Sequence, residues 1–226
     1  YIITSLGSPK ETIEQCKAKG IKVFCDVTDL NYAQKVEALG ADAVIAVNVD
    51  AGGHAGNLKA TELIPLLKAN LKIPVISAGG VATNSQLKEI LSLGAAGASV
   101  GTIFIASEES PVSEEYKQAL IQYGAKDIIK TTKLSGSALT VINTPYVQTM
   151  GAEASFWERL LLKNKWLKKY MKLFIALKGM NAIENAAFKP TYKTVWCAGP
   201  TIEYIHSIRP LKLIVEELVR ENNFKL

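Results

Sequence analysis

The chain has 226 residues, 48% hydrophobic and 21% charged, a globular composition that excludes a disordered one. Its formal charge of +5 comes without a compact basic, aromatic-rich patch, so nucleic acid is not an expected partner. Cys16, Cys25 and Cys197 are odd in number and not in metal-ligand spacing, which reads as reduced thiols in a cytoplasmic protein, and no apolar run reaches transmembrane length.

Residues 1–6 are apolar and β-prone and stop at Gly7-Ser8-Pro9. Ser8 is suited to cap a helix and Pro9 to its first turn, and the helix is predicted to run to about Lys19 with Ile13, Cys16 and Ala18 inward. Residues 21–27 form the next strand, and Thr28-Asp29 open a helix through Ala33 and Val36 that Gly40 closes. A third strand over 41–49 leads to a helix within 58–70, with Ala60, Leu63, Leu66 and Leu67 on one side and Pro65 as a break, a kink or a first-turn residue. The fourth strand, 73–78, ends in Gly79-Gly80, and Asn84 is predicted to cap a helix closed by Gly94. The fifth, 97–100, ends in Gly101-Thr102.

Five strand–helix alternations at intervals of roughly 20 to 30 residues imply βα units and a parallel sheet. The short strands suit a barrel better than an open doubly wound sheet, and no Gly-x-Gly-x-x-Gly follows any strand. Beyond Phe104 the pattern changes to a helix over 114–123, a β-prone stretch over 127–140 turning at Gly136, and a last helix over 211–220. Between them, 156–178 reads as a long lysine-rich amphipathic helix, an insertion packing its apolar side on the barrel with the lysines in water rather than a membrane-surface helix.

The chemistry points to three strand ends. Asp50-Ala51-Gly52-Gly53-His54-Ala55-Gly56 leaves the backbone nearly bare beside His54, one of two histidines. Ala78-Gly79-Gly80-Val81 and Ser99-Val100-Gly101-Thr102 end the next two strands, and bare N–H groups there, backed by helix N-termini, suit a phosphate. Thr102 adds a hydroxyl. Asp26, Thr28 and Asp29 lie at another strand end, where capping accounts for Thr28 and Asp29, and His206 sits in a C-terminal connection. No cluster has metal-ligand spacing.

The 50–56 motif resembles the acidic-Ala-Gly-Gly-His-x-Gly motif of the nitronate monooxygenase family. Pro74 to Gly80, Gly94-Ala95 through Gly101-Thr102-x-Phe104, Glu108-Glu109-Ser110, Val195-Trp196-x-Ala198-Gly199 and Ile208-Arg209-Pro210 match it in order. The resemblance implies an FMN-binding TIM-type (β/α)8 barrel, of which this chain supplies about five βα units. By residue, it implies a phosphate held by Gly79, Gly80, Gly101 and Thr102 with Ala78, Ser99 and Val100 alongside. Ala51, Gly52 and Gly53 admit the flavin, and His54 stands as the catalytic histidine. The implied reaction oxidises a nitronate or nitroalkane with O2 to a carbonyl compound and nitrite. Flavin-type enoyl-acyl carrier protein reductases, which use NAD(P)H, share the fold and motifs and form the alternative. A non-catalytic or truncated flavin-binding barrel is the second.

Two departures stand out. Where the family usually has Gln-Gly, this chain has Val47-Asn48, so the family's glutamine contact to the flavin is altered or absent. The family's three leading strands precede the point where this chain begins, so an upstream segment or a second copy is expected to complete the barrel. The expected organisation is a partial FMN-binding barrel over 1–155, a basic helical insertion over 156–193, and a C-terminal segment over 194–226 packing back on the barrel.

Overall fold

The computed structural model describes residues 1–5, 7–132, 138–150 and 195–220. The predicted lysine-rich helix, the 156–193 insertion and the Gly136 turn lie outside them. In chain order the strands are β1 (Ile2–Thr4), β2 (Val23–Val27), β3 (Ala43–Val47), β4 (Gly53–His54), β5 (Val75–Ala78), β6 (Gly97–Ser99), β7 (Ile128–Thr131) and β8 (Leu139–Ile142). The α-helices are α1 (Lys10–Lys17), α2 (Leu30–Leu39), α3 (Ala60–Asn70), α4 (Asn84–Ser92), α5 (Thr102–Ile105), α6 (Glu114–Gln122), α7 (Pro145–Met150) and α8 (Leu211–Val219). The chain divides into two compact units, one of residues 1–51, 55–101 and 215–226, the other of 52–54 and 102–214.

The first unit holds the parallel sheet, in the order β1-β2-β3-β5-β6. Its register pairs Val27 with Ala46, Val47 with Ala78, and Ala78 with Ser99. The strands therefore end at one level, and the loops that follow leave from the same edge of the sheet, where α/β proteins place ligands. Alternation along each strand makes two faces. Val23, Cys25, Val27, Val44, Ala46 and Val75 pack with Ile13, Ala33, Val36, Leu63 and Leu67 of the helices. Ile45 and Val47 on the other face pack with Ala51, Phe24, Ile76 and Ala78. At the β1 edge of this sheet Ile2 and Ile3 are 42% and 51% exposed.

Several helix boundaries differ from expectation for local reasons. Pro9, not Ser8, occupies the cap of α1, with φ −82°, and makes no side-chain cap bond. Ala18 lies beyond that helix and is exposed. α3 continues past Pro65, and its buried residues are Leu63, Ile64 and Leu67, while Leu66 is 38% exposed. A mid-helix proline costs about 3 kcal/mol, and burying these three aliphatic side chains returns more than that at about 1.5–3 kcal/mol each. α4 is capped by Thr83, whose hydroxyl accepts from Gln86 N–H while the Gln86 side chain accepts from the Thr83 N–H. That reciprocal box satisfies two orphan donors. It frees Asn84, whose Nδ2 donates to the carbonyls of Leu218 and Arg220. Asp29 and Gly40 do cap α2 as expected, Asp29 accepting from Tyr32 N–H at 2.9 Å and Gly40 taking φ 94°.

The second unit contains an antiparallel sheet in the order β4-β8-β7. Leu139, Val141, Val147 and Val195 form its buried cluster. Tyr116 of α6 stacks on Trp196 at 5.7 Å between ring centroids and donates its hydroxyl to the Cys197 carbonyl. Burial raises the Tyr116 hydroxyl pKa well above its usual range and pushes the Cys197 thiol up to about 11.

Candidate functional site

In the first unit, the exits of β3 and β5 are tied together. Asn48 N–H donates to the Ala78 carbonyl at 3.0 Å, and the Asn48 carbonyl accepts from Gly56 N–H at 3.1 Å. The Asn48 side chain, 1% exposed, donates from Nδ2 to the Gly79 carbonyl at 2.9 Å and accepts at Oδ1 from Asp50 N–H at 2.8 Å. Sequence reasoning assigned this residue no role. The available signal was a polar side chain where the resembled motif has glycine.

Gly79 and Gly80 have φ 104° and 78°, conformations that residues with a Cβ adopt only with strain. At Gly79 a Cβ would sit 2.5 Å from both Ala51 N and Asn48 Oδ1, so the glycine is required by close backbone approach. At Gly80 the nearest atoms are the Asp50 side chain at 3.6 and 3.7 Å, and at Gly101 a Cβ would meet nothing within 4 Å. The turn after β5 thus carries no side chain at Gly79 or Gly80 and is followed by the capped N-terminus of α4, and the turn after β6 presents bare backbone to open space at Gly101. Such a cradle fits a phosphate group. Beside it, Asp50, Lys59, Gly79, Gly80, Gln86 and Glu89 line part of a cleft of about 170 Å³. The first unit carries Ala51, Ala78, Gly79, Gly80, Ser99, Val100 and Gly101. Ser99 is exposed, and Ala78 and Val100 are half-buried.

Gly52, Gly53, His54 and Thr102 belong to the second unit. A bare loop was expected at Gly53–His54; instead it forms β4, pairing antiparallel with Thr140 and Leu139 of β8. Periodicity cannot reveal a two-residue strand whose partner lies 85 residues on. A Cβ on Gly52 would come within 2.8 Å of Gly199 N and 3.0 Å of the Ala198 carbonyl carbon, whereas one on Gly53 would meet nothing within 4 Å. His54 is half-buried with its Nε2 inside. Thr102, 8% exposed, accepts the Gly199 N–H at Oγ1 over 3.1 Å, which leaves the hydroxyl hydrogen to donate elsewhere. Among the described residues no group of His, Cys, Asp and Glu could hold a metal ion, and no helix is long and apolar enough to cross a membrane. His206 is exposed.

Comparison with known proteins places the chain in one family. The sequence profile of the nitronate monooxygenase family matches residues 1–221. A nitronate monooxygenase of Paraburkholderia phytofirmans is 30% identical over 220 residues, covering 93% of this chain and 57% of the relative. An octahydro-indene-carboxyl-CoA dehydrogenase of Rhodococcus jostii is 34% identical over 146 residues, 65% of this chain and 41% of the relative. The chain therefore spans about half the length of the curated relatives it matches. Among solved structures, FabK from Thermotoga maritima superimposes with a TM-score of 0.79 at 27% identity, covering 96% of this chain and 66% of that one. A nitroalkane oxidase from Streptomyces ansochromogenes shares the fold, with a TM-score of 0.73 at 24% identity over 96% of this chain and 62% of that one. The fold class is the α/β, TIM-barrel class expected, with the five-stranded parallel sheet as a partial barrel.

Proposed function

Because this chain belongs to the nitronate monooxygenase family, whose members are flavin-dependent oxidoreductases, we propose that it binds FMN and oxidises alkyl nitronates with O2 to a carbonyl compound and nitrite. The observation that carries this reading is the pair of bare turns after β5 and β6, at one edge of the parallel sheet, in the order in which the family motif places them. Gly79, Gly80 and Gly101 hold the phosphate through backbone N–H groups, with Ala78, Ser99 and Val100 alongside, and Thr102 adds its hydroxyl hydrogen. Ala51 and Gly53 offer low backbone to the flavin, while Gly52 lets the Ala198-Gly199 backbone pack close. When bound, FMN supplies the electron transfer and oxygen reactivity that no side chain here can provide.

His54 handles the proton. As a neutral imidazole it accepts the α-proton of a nitroalkane, and as an imidazolium it steadies the negative nitro oxygens of a nitronate. Val47, apolar and buried at the end of β3, cannot make the amide contact of the family's glutamine.

The test is an aerobic assay of the protein loaded with FMN. Nitrite and carbonyl product are expected from propyl nitronate without NADH. Consumption of NADH with an enoyl thioester, and no nitrite, would replace this reading with the enoyl reductase alternative. A protein that takes up no FMN would overturn both.

A further inference from the structure

We propose that Asn48 is a positioning residue, one that fixes the Gly79–Gly80 peptide so that the Gly80 N–H faces the phosphate of FMN. The proposal rests on the flavin reading above and adds to it a residue that replaces the family's usual glycine.

The argument starts from the amide itself. Asn48 is 1% exposed, so both ends of its side chain need partners, and both have them within the same unit. Nδ2 donates to the Gly79 carbonyl and Oδ1 accepts from Asp50 N–H. The reverse orientation of the amide would set donor against donor and acceptor against acceptor, so the network fixes it. A trans peptide is planar, with its C=O and N–H pointing opposite ways. Drawing the Gly79 oxygen toward Asn48 therefore turns the Gly80 N–H away from Asn48.

Gly79 and Gly80 are two consecutive glycines at positive φ, the pair of residues with the most freedom to flip the peptide between them. The flipped peptide would present a carbonyl oxygen where an N–H had been, and an anion would be repelled instead of bound. A side chain that holds one orientation removes the competing one and pre-organises the turn. Through Oδ1 the same side chain fixes the Asp50 amide, and through its backbone it joins β3 to β5, so the two loops are held by one residue.

The experiment compares FMN with riboflavin, which lacks the phosphate, by quenching of flavin fluorescence on the wild type, Asn48→Gly and Asn48→Asp. Asn48→Gly takes the residue the family usually carries there. Asn48→Asp keeps the acceptor for Asp50 N–H and loses the donor to Gly79. Both variants are expected to bind FMN at least about fivefold more weakly, the loss of a hydrogen bond that orders the turn. Riboflavin affinity is expected to change by less than about twofold, a selectivity that a general loss of stability would not produce. Equal weakening of both flavins, or unchanged FMN affinity, would overturn the proposal. Amide hydrogen exchange without ligand gives an independent reading: the Asp50 N–H is expected to lose protection in Asn48→Gly and to keep it in Asn48→Asp. Unchanged protection in Asn48→Gly would refute the clamp. A wild type that binds neither flavin would refute the cofactor reading, and the exchange data would still decide whether Asn48 orders the loop.

Discussion

Gly79→Ala tests the site's geometry most directly. The substitution forces alanine to φ 104° and drives its Cβ to 2.5 Å from Ala51 N and 2.8 Å from Ala51 Cα, backbone atoms that cannot rotate aside. Backbone strain of this kind costs about 1–3 kcal/mol, and overpacking against fixed atoms another 1–3 kcal/mol or so. The expected loss is thus about 2–6 kcal/mol, which for a slope near 2 kcal/mol per molar lowers the urea midpoint by about 1–3 M. Two controls separate the contributions. Gly53 has φ 77° but open space around its Cβ position, so Gly53→Ala carries the strain alone, about 1–2 kcal/mol. Gly101 has open space and no positive φ, so Gly101→Ala should change stability by less than about 1 kcal/mol. Urea unfolding followed by far-UV circular dichroism at constant slope reads all three. An alanine at 79 as well tolerated as one at 101 would refute the close approach of the two loops.

Four other outcomes follow from the same structure. Gly101→Ala, though stable, should weaken FMN binding at least about tenfold, because its methyl enters the space left for the phosphate; titration of bound flavin checks it. His54→Ala should retain flavin and lose at least about a hundredfold in kcat/KM on neutral nitroalkanes, with a smaller loss on preformed nitronates, measured as nitrite release. Ser77, 0% exposed in β5 with no hydrogen-bond partner for its Oγ among the described residues, should gain about 1 kcal/mol on Ser77→Ala, read as a rise in the urea midpoint. Burial raises Cys197 from the ordinary thiol value of 9.0 to about 11, so the unfolded chain sheds this proton first and stability falls as pH rises from about 9 toward 11; the midpoint difference between pH 8 and pH 10.5 should shrink in Cys197→Ala.

The sheet was legible because its signal is local. Gly40, Gly79, Gly80 and Gly94 all take positive φ where a chain must turn back, and each follows a helix or strand visible in the apolar pattern. What sequence reasoning misplaced was decided between two local options. Asn84 is a good cap, but Thr83 has Gln86 three residues on, and the reciprocal box outcompetes a lone asparagine. Leu66 and Ile64 are equally apolar, and only the direction of α3 against the sheet settles that Ile64 goes in. The site divides the same way. Its glycines were readable from composition, whereas the pairing of His54 with Leu139, the bond from Gly199 to Thr102 and the bond from Asn48 to the Gly79 carbonyl depend on partners far along the chain. No window of sequence contains both partners.

The bonds from Asn84 to the Leu218 and Arg220 carbonyls bear on the order in which the protein is made. The first unit is discontinuous, resuming at Val215 after leaving the chain at Gly101, roughly 110 residues earlier. At ribosomal speeds of about 5–20 residues per second, the sheet waits on the order of 6–20 seconds for its last helical turn. During that interval the Asn84 amide must be served by water or by a chaperone, and the surface that receives the end of α8 lies open. A nascent chain halted near residue 200 should therefore be cleaved by protease around α4 far faster than one carried past Arg220, even though β1, β2, β3, β5 and β6 have already been synthesised.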